Sequence, residues 1–350
     1  MSSLIRTSEG KSTGLIFTSD ESPGYSRARS GRGFSFKMPD GSLLRSRGER
    51  KRILSLAIPP AYEKVWICTI QNGHLQATGL DDRGRKQYRY HPLWQEYSSD
   101  RKFSSLPVFA KCLPRIRNAC RKALSLPDLD RERVIAGIVF LLDTTGYRIG
   151  NARYEKDNRS YGLSSLLTRH IRESAEGSIQ LRFRGKSGLQ HEAEIEHPHL
   201  LKLIDELHDL PGQHLFRYED DEGGCHDIGT TDVNAWIKET SGGGFSAKQF
   251  RTWKATVLYA DKLKSDPPPE TKTARTRALN TALKATAETL NHTPATCRKY
   301  YIHPALVRAY QSGSLYRLMN SPAPKLRKND GSAALLADER RVLKIITLSD

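Results

Sequence analysis

The sequence predicts an α+β protein, with a small β-rich amino-terminal domain ahead of a larger, mainly α-helical domain that carries an inserted β-hairpin. Three observations predict it. Between Phe34 and Trp94, short alternating or β-branched runs are separated by turn signals. After Pro107, apolar residues recur at helical spacing. Within that helical half, residues 177–197 form two alternating runs around Gly185-Lys186-Ser187-Gly188, the pattern of a hairpin. At 350 residues the chain is long enough for two domains, each burying its own core.

Taken in order, residues 1–33 are rich in Ser, Gly and Arg and lack an apolar stretch, so they read as a flexible basic tail and not as a secretory signal. Residues 34–96 form the β-rich domain: GFSFKMPDG, VWICTI and HLQATGL are its strands, divided by PDG, QNG and DDRGR, with one or two helices. Residues 97–106, YSSDRKFSSL, are polar and Ser-rich and read as a linker. The helical domain, 107–350, opens with helices over 110–124 and, after a PDLD start signal, 131–142. A further helix spans 246–263, where Ser246 and Gln249 make a capping box and Phe250, Trp253, Val257 and Ala260 a core stripe. Residues 274–290 are amphipathic. Thr293 and Pro294 are N-cap and first residue of a helix that carries Tyr301 and ends at Pro304. A last helix over 333–346 turns Leu335, Leu336, Val342, Leu343 and Ile346 one way.

Composition narrows the function. Lys and Arg outnumber Asp and Glu by 56 to 39, a net charge of +17. Such a surplus favours a polyanion, because each neutralised phosphate releases condensed counterions. Five scattered cysteines without a C-x-x-C pair argue for a reducing compartment and against a disulfide framework or zinc ribbon. The longest apolar run, 136–142, is far too short to cross a bilayer. Ser241-Gly242-Gly243-Gly244 lacks the Lys-Ser/Thr of a P-loop. No acidic cluster suits a two-metal nuclease, and no His/Cys set has zinc spacing. Neither a cofactor nor a metal is expected.

Four segments carry chemistry: Arg148 in TGYRIGN, Lys186 in RFRGKSG, Arg251 in SAKQFRTWKAT, and LNHTPATCRKYYIHP with His292 and Tyr301. A phenol with pKa near 10 is a poor nucleophile unless its surroundings help. Attack on a phosphodiester loads charge on two non-bridging oxygens, which planar guanidiniums on fixed elements stabilise. Arg148 follows a helix and a tight turn, and Arg251 neighbours core-facing Phe250, so both sit on such elements. Lys186 at a hairpin tip can reach a groove and protonate the leaving 5′ oxygen. His292 adds a donor to the phosphate. Alone, each has an ordinary reading as a solvated charge, a turn residue or packing; the conjunction points to metal-free transesterification. An unbroken helix would separate His292 from Tyr301 by about 13 Å along its axis, so the phosphate lies between them or the helix breaks or moves, and Tyr301 is expected to be misaligned without DNA. In the amino-terminal domain, RGRKQYRYH interleaves four basic residues with tyrosines. Arg85 there suits a phosphate, while Gln87, Tyr88 and Tyr90 suit groove edges or sugars. Lys248, just ahead of Arg251, is a further basic candidate for DNA.

These segments, in this order and approximate spacing, resemble the small type IB DNA topoisomerases of bacteria and large DNA viruses. With YGLSSL at 161–166 added, the resemblance runs from about Gly33 to the last helix. It implies a C-shaped clamp on double-stranded DNA, a catalytic fold shared with tyrosine recombinases, and a monomeric, cytoplasmic, nucleoid-associated enzyme without membrane attachment. It further implies relaxation of supercoils through a 3′-phosphotyrosyl intermediate without ATP or metal. By position Tyr301 is the nucleophile, Arg148, Arg251 and His292 bind the scissile phosphate, and Lys186 is the general acid. Gln87, Tyr88 and Tyr90 match the family's major-groove segment. Many bacterial members have asparagine where His292 stands. Recombinases usually carry histidine at the position of Lys248, which sets them second; a non-enzymatic architectural DNA binder is the rival from another class.

Overall fold

The computed structural model describes residues 4–6, 12–150, 155, 159–173, 177–324 and 335–348. The chain divides into two compact units, Met1–Ser104 and Ser105–Asp350.

Alternating sequence in the first unit becomes a five-stranded antiparallel sheet, in the order Gly33–Lys37, Tyr25–Ser30, Glu63–Ile67, Leu75–Leu80, Lys86–Tyr90. The helix Arg47–Ser55, capped by Ser46, inserts Ile53 into a small core with Tyr25, Phe36, Val65, Ile67 and Ala77. Two expectations change here. The described part of residues 1–33 is not a tail: Ser12–Ile16 and Tyr25–Ser30 are strands, and the second lies inside the sheet, with Ala28 opposite Ser35 and Tyr25 opposite Ile67. Arg27 on that strand serves the fold instead of solvent. Arg27 donates to the carbonyls of Ile58 (3.2 Å) and Pro59 (3.0 Å) and lies 4.2 Å from the Phe34 ring centroid. Residues 1–3 and 7–11 of the expected tail lie outside the described residues. The expected linker is largely helix, Pro92–Ser104. Proline at its first position presets the helical φ, and Trp94 and Tyr97, one turn apart, bring their rings within 5.7 Å. The boundary between the units falls at its end.

The second unit is built around Arg131–Thr145, whose residues Val134, Ile135, Ala136, Ile138, Val139, Leu141 and Leu142 are all fully buried. A helix apolar on all sides belongs in a core. Leu106–Leu124, Pro198–His208, Thr230–Ser241 and Ala247–Leu263 contribute their apolar faces to the same core. The Ser246 capping box opens the last of these. The hairpin forms as Ile179–Arg184 and Gln190–Ile195, with Ile171–Glu173 as a third strand. Lys272–Thr289 leads to the short Pro294–Tyr300, capped by Thr293, which leaves Tyr301 just past the helix end. Pro304 starts a new helix, Pro304–Gln311, followed by Ser314–Met319. The described part of the last helix is Ala337–Thr347; Ala333 and Ala334, where it was expected to begin, lie outside the described residues. Leu336 is its N-cap and is exposed, not core-facing, whereas Leu335 before it is buried. Among the described residues, no helix is long and apolar enough to cross a membrane.

Candidate active site

Arg148 is placed by two crossing segments. The central helix ends on Gly146, whose φ of 66° is the left-handed C-cap that glycine adopts without penalty. The chain then pairs with 162–164: Leu163 donates to the Arg148 carbonyl at 2.9 Å and Ser164 to that of Ile149 at 2.7 Å. Gly162 permits this approach, since a Cβ there would lie 2.4 Å from the Gly150 Cα.

Arg251 rises from Ala247–Leu263 and is only 3% exposed. Its Nη1 donates to the Gly146 carbonyl at 2.6 Å, its Nη2 to the Leu290 carbonyl, and its Nε to His292 Nε2 at 3.0 Å. One guanidinium thus ties together the end of the central helix, the end of Lys272–Thr289 and His292. Burial and the neighbouring Arg148 push its pKa down to about 10, so the charge persists at neutral pH.

His292 lies 3.2 Å from Arg148 Nη2. Burial, then Arg251, Arg148 and Lys186, push it down to about 3, so the ring is neutral. Because Nε2 accepts from Arg251, the ring proton resides on Nδ1. Tyr301 stacks on this ring, centroids 4.5 Å apart and planes 28° apart, and the Arg251 guanidinium carbon is 5.5 Å from the Tyr301 centroid. Tyr301 also faces both guanidiniums, and its proximity offsets part of the fall in the pKa of Arg148 and of Arg251. Its backbone is fixed as well: its N–H donates to Cys297 and its carbonyl accepts from the Thr256 hydroxyl at 3.1 Å, on the helix that carries Arg251.

Tyr301 therefore stands at the arginines, brought there by a break in the helix. His292 precedes the N-cap, the helix between them is only seven residues long, and at Tyr301 the backbone turns out of it (φ −132°). No unbroken helix separates the two rings. Tyr300 is half exposed, with Lys299 Nζ 5.4 Å from its ring centroid, and does not line the cleft.

Arg148, Arg251 and Tyr301 share a cleft of about 360 Å³ with exposed Lys186, on the turn Lys186–Gly188, and exposed Lys248. Tyr147, Ser160 and Tyr161 also line it, and no role for them was legible in the sequence. They arrive through the crossing of 148–150 with 162–164, which no local pattern announces.

The amino-terminal candidates lie on the edge strand Lys86–Tyr90 of the first unit and the turn before it. Tyr88 and Tyr90 are exposed and stacked, centroids 6.0 Å apart. Gln87 alternates to the opposite face, opposite Gly79, so strand geometry does not present it beside the tyrosines. Its amide and the Arg85 guanidinium both bind Asp81, at 2.9 and 2.7 Å, and the Arg85 bond holds Asp81 down at about 2.

Comparison with known proteins gives this geometry a family. The model described as "Eukaryotic DNA topoisomerase I, catalytic core" matches residues 92–319, and "Bacterial DNA topoisomerase IB, N-terminal domain" matches residues 33–81. The chain is 33% identical over 297 residues to "DNA topoisomerase 1B" of Acanthamoeba polyphaga mimivirus, covering 83% of this chain and 88% of that protein. It is 27% identical over 253 residues to "DNA topoisomerase 1B" of Vaccinia virus (strain Copenhagen), covering 69% and 73%. To "DNA topoisomerase 1" of Schizosaccharomyces pombe it is 26% identical over 237 residues, covering 65% of this chain and 28% of that one. The chain belongs to the type IB DNA topoisomerases.

Proposed function

We propose that the protein relaxes supercoiled duplex DNA by cutting and resealing one strand through a 3′-phosphotyrosyl intermediate. The Tyr301 oxygen attacks the scissile phosphorus, its proton leaving to solvent through the open cleft. The bond to the 5′ oxygen breaks, and Lys186 Nζ protonates that oxygen as it departs. Arg148, Arg251 and the Nδ1–H of His292 take up the charge on the non-bridging oxygens. After rotation of the free end, the 5′ hydroxyl attacks the phosphotyrosine, displaces Tyr301 and returns its proton to Lys186. The ester conserves the energy of the broken bond, so no ATP is consumed. The guanidiniums supply the positive charge that a metal would, so no metal is called on.

The observation that carries this reading is Tyr301 stacked on the His292 ring in the cleft that Arg148 and Arg251 line. Two fixed positive charges mark where a phosphate would exchange for the hydroxyl. DNA contact extends to Lys248 in the cleft and, in the first unit, to Tyr88, Tyr90, Arg85 and Gln87, the last two by exchanging Asp81 for the nucleic acid. The protein acts as a monomer, on the nucleoid in a reducing cytoplasm, in keeping with five free cysteines.

A nicked suicide duplex, whose short 5′ fragment diffuses away after cleavage, tests the covalent step. Wild type should accumulate an adduct that joins the DNA 3′ end to a peptide containing Tyr301, and Tyr301→Phe should form none while binding the duplex equally. An adduct at Tyr300, or through a 5′ phosphate, would refute the assignment.

A further inference from the structure

Lys186 sits at an exposed hairpin tip, yet general acid catalysis needs its ammonium held at the leaving oxygen. One buried side chain lies beneath that tip. His191, on Gln190–Ile195, is 2% exposed; its ring stacks on Phe183 (centroids 5.0 Å, planes 11° apart) and meets Tyr147 edge-on at 4.6 Å. Gly185, the residue before Lys186, rests directly on the same ring: a Cβ there would lie 2.4 Å from Cδ2. On the other side, His191 Nδ1 is 3.0 Å from the Asn291 side-chain nitrogen, which also donates to the Gln190 carbonyl at 3.0 Å. An amide nitrogen only donates, so Nδ1 accepts and the ring proton is on Nε2. Asn291 holds φ at 51°, a left-handed conformation that asparagine tolerates better than most residues, and His292 follows it.

We infer that His191 and Asn291 form a strut that positions Lys186, coupling the hairpin tip to the His292 end of the phosphate site. Neither residue reaches the cleft lining, so both are positioning residues. Through the strut, Lys186 moves in register with the groups that hold the phosphate, instead of swinging on a free hairpin. The inference rests on the proposed role of Lys186 as general acid.

The test uses two variants and two substrates in the full-length protein. Asn291→Gly keeps the positive φ and deletes both donors; His191→Phe keeps a ring under Gly185 and deletes the Nδ1 acceptor together with the Nε2–H. Single-turnover cleavage is measured on a duplex with an ordinary scissile phosphodiester and on one whose bridging 5′ oxygen is sulfur. A thiolate leaves unprotonated, its conjugate acid having pKa near 8.5, so the sulfur substrate bypasses the general acid. Both variants should cleave the ordinary duplex about 10²-fold more slowly than wild type and the sulfur duplex at close to its rate, with Lys186→Ala behaving alike. Equal slowing on both substrates, or no slowing on either, would overturn the strut. If Lys186→Ala itself is not rescued by sulfur, the general-acid role fails and takes the inference with it. Rescue of Lys186→Ala without rescue of the two variants sinks the inference alone.

Discussion

A buried guanidinium keeps its charge only where acceptors surround it, and Arg251 meets that condition with two carbonyls and His292 Nε2. An ammonium cannot reproduce the fork, which makes three contacts from one rigid plane. Arg251→Lys should therefore lower the single-turnover cleavage rate by about 10²–10³, the usual cost of one oxyanion donor, with duplex affinity little changed. Cleavage within tenfold of wild type would show that the charge alone suffices. At this scale the sequence was informative about type and less so about setting. Arg251 is legible because Phe250 and Trp253 fix its helix in the core. Asn291 and His191 left no such mark: one is distinguished only by its φ, the other only by what folds onto it.

Arg148 depends on an element-level contact, the crossing of 148–150 with 162–164, and that crossing requires glycine. Gly162→Ala would bring a Cβ to 2.4 Å from the Gly150 Cα and 2.7 Å from the Arg148 carbonyl, backbone that cannot swing aside as a side chain would. We expect destabilisation of about 1–3 kcal/mol in urea unfolding and a larger proportional loss of cleavage, because Arg148 is displaced with its carbonyl. Unfolding and cleavage both at wild-type values would mean that the crossing is pliable. Elements that end in local signals were legible: the Ser246–Gln249 box, the Thr293-Pro294 start, the alternating hairpin. Those defined by distant partners were not. Tyr25–Ser30 looks like a basic tail until its neighbours on both sides are known, and Pro92–Ser104 hides its aromatic pair among serines. The end of the short helix at Tyr301 was missed for a related reason: what turns the chain there includes the Thr256 hydroxyl, far away in sequence.

For the whole molecule, buried histidines set a pH window. His292, His191 and His170 are held at about 3, 4 and 4, in each case first by burial. The unfolded chain protonates each near pH 6.5, so between that pH and about 4 it binds protons that the folded state refuses. Stability is then complete above pH 6.5 and lost as pH falls. His214, raised because Glu155 and Asp227 outweigh its burial, acts in the opposite sense and offsets part of this. Urea unfolding should show the protein less stable at pH 5.0 than at pH 7.5; equal or greater stability at pH 5.0 would contradict the neutral-histidine site. The most direct test of the central claim is relaxation of a supercoiled plasmid in EDTA without ATP, wild type beside Tyr301→Phe. The account predicts complete relaxation by the wild type and none by the variant. Relaxation by both, or by neither while duplex binding is intact, would contradict it.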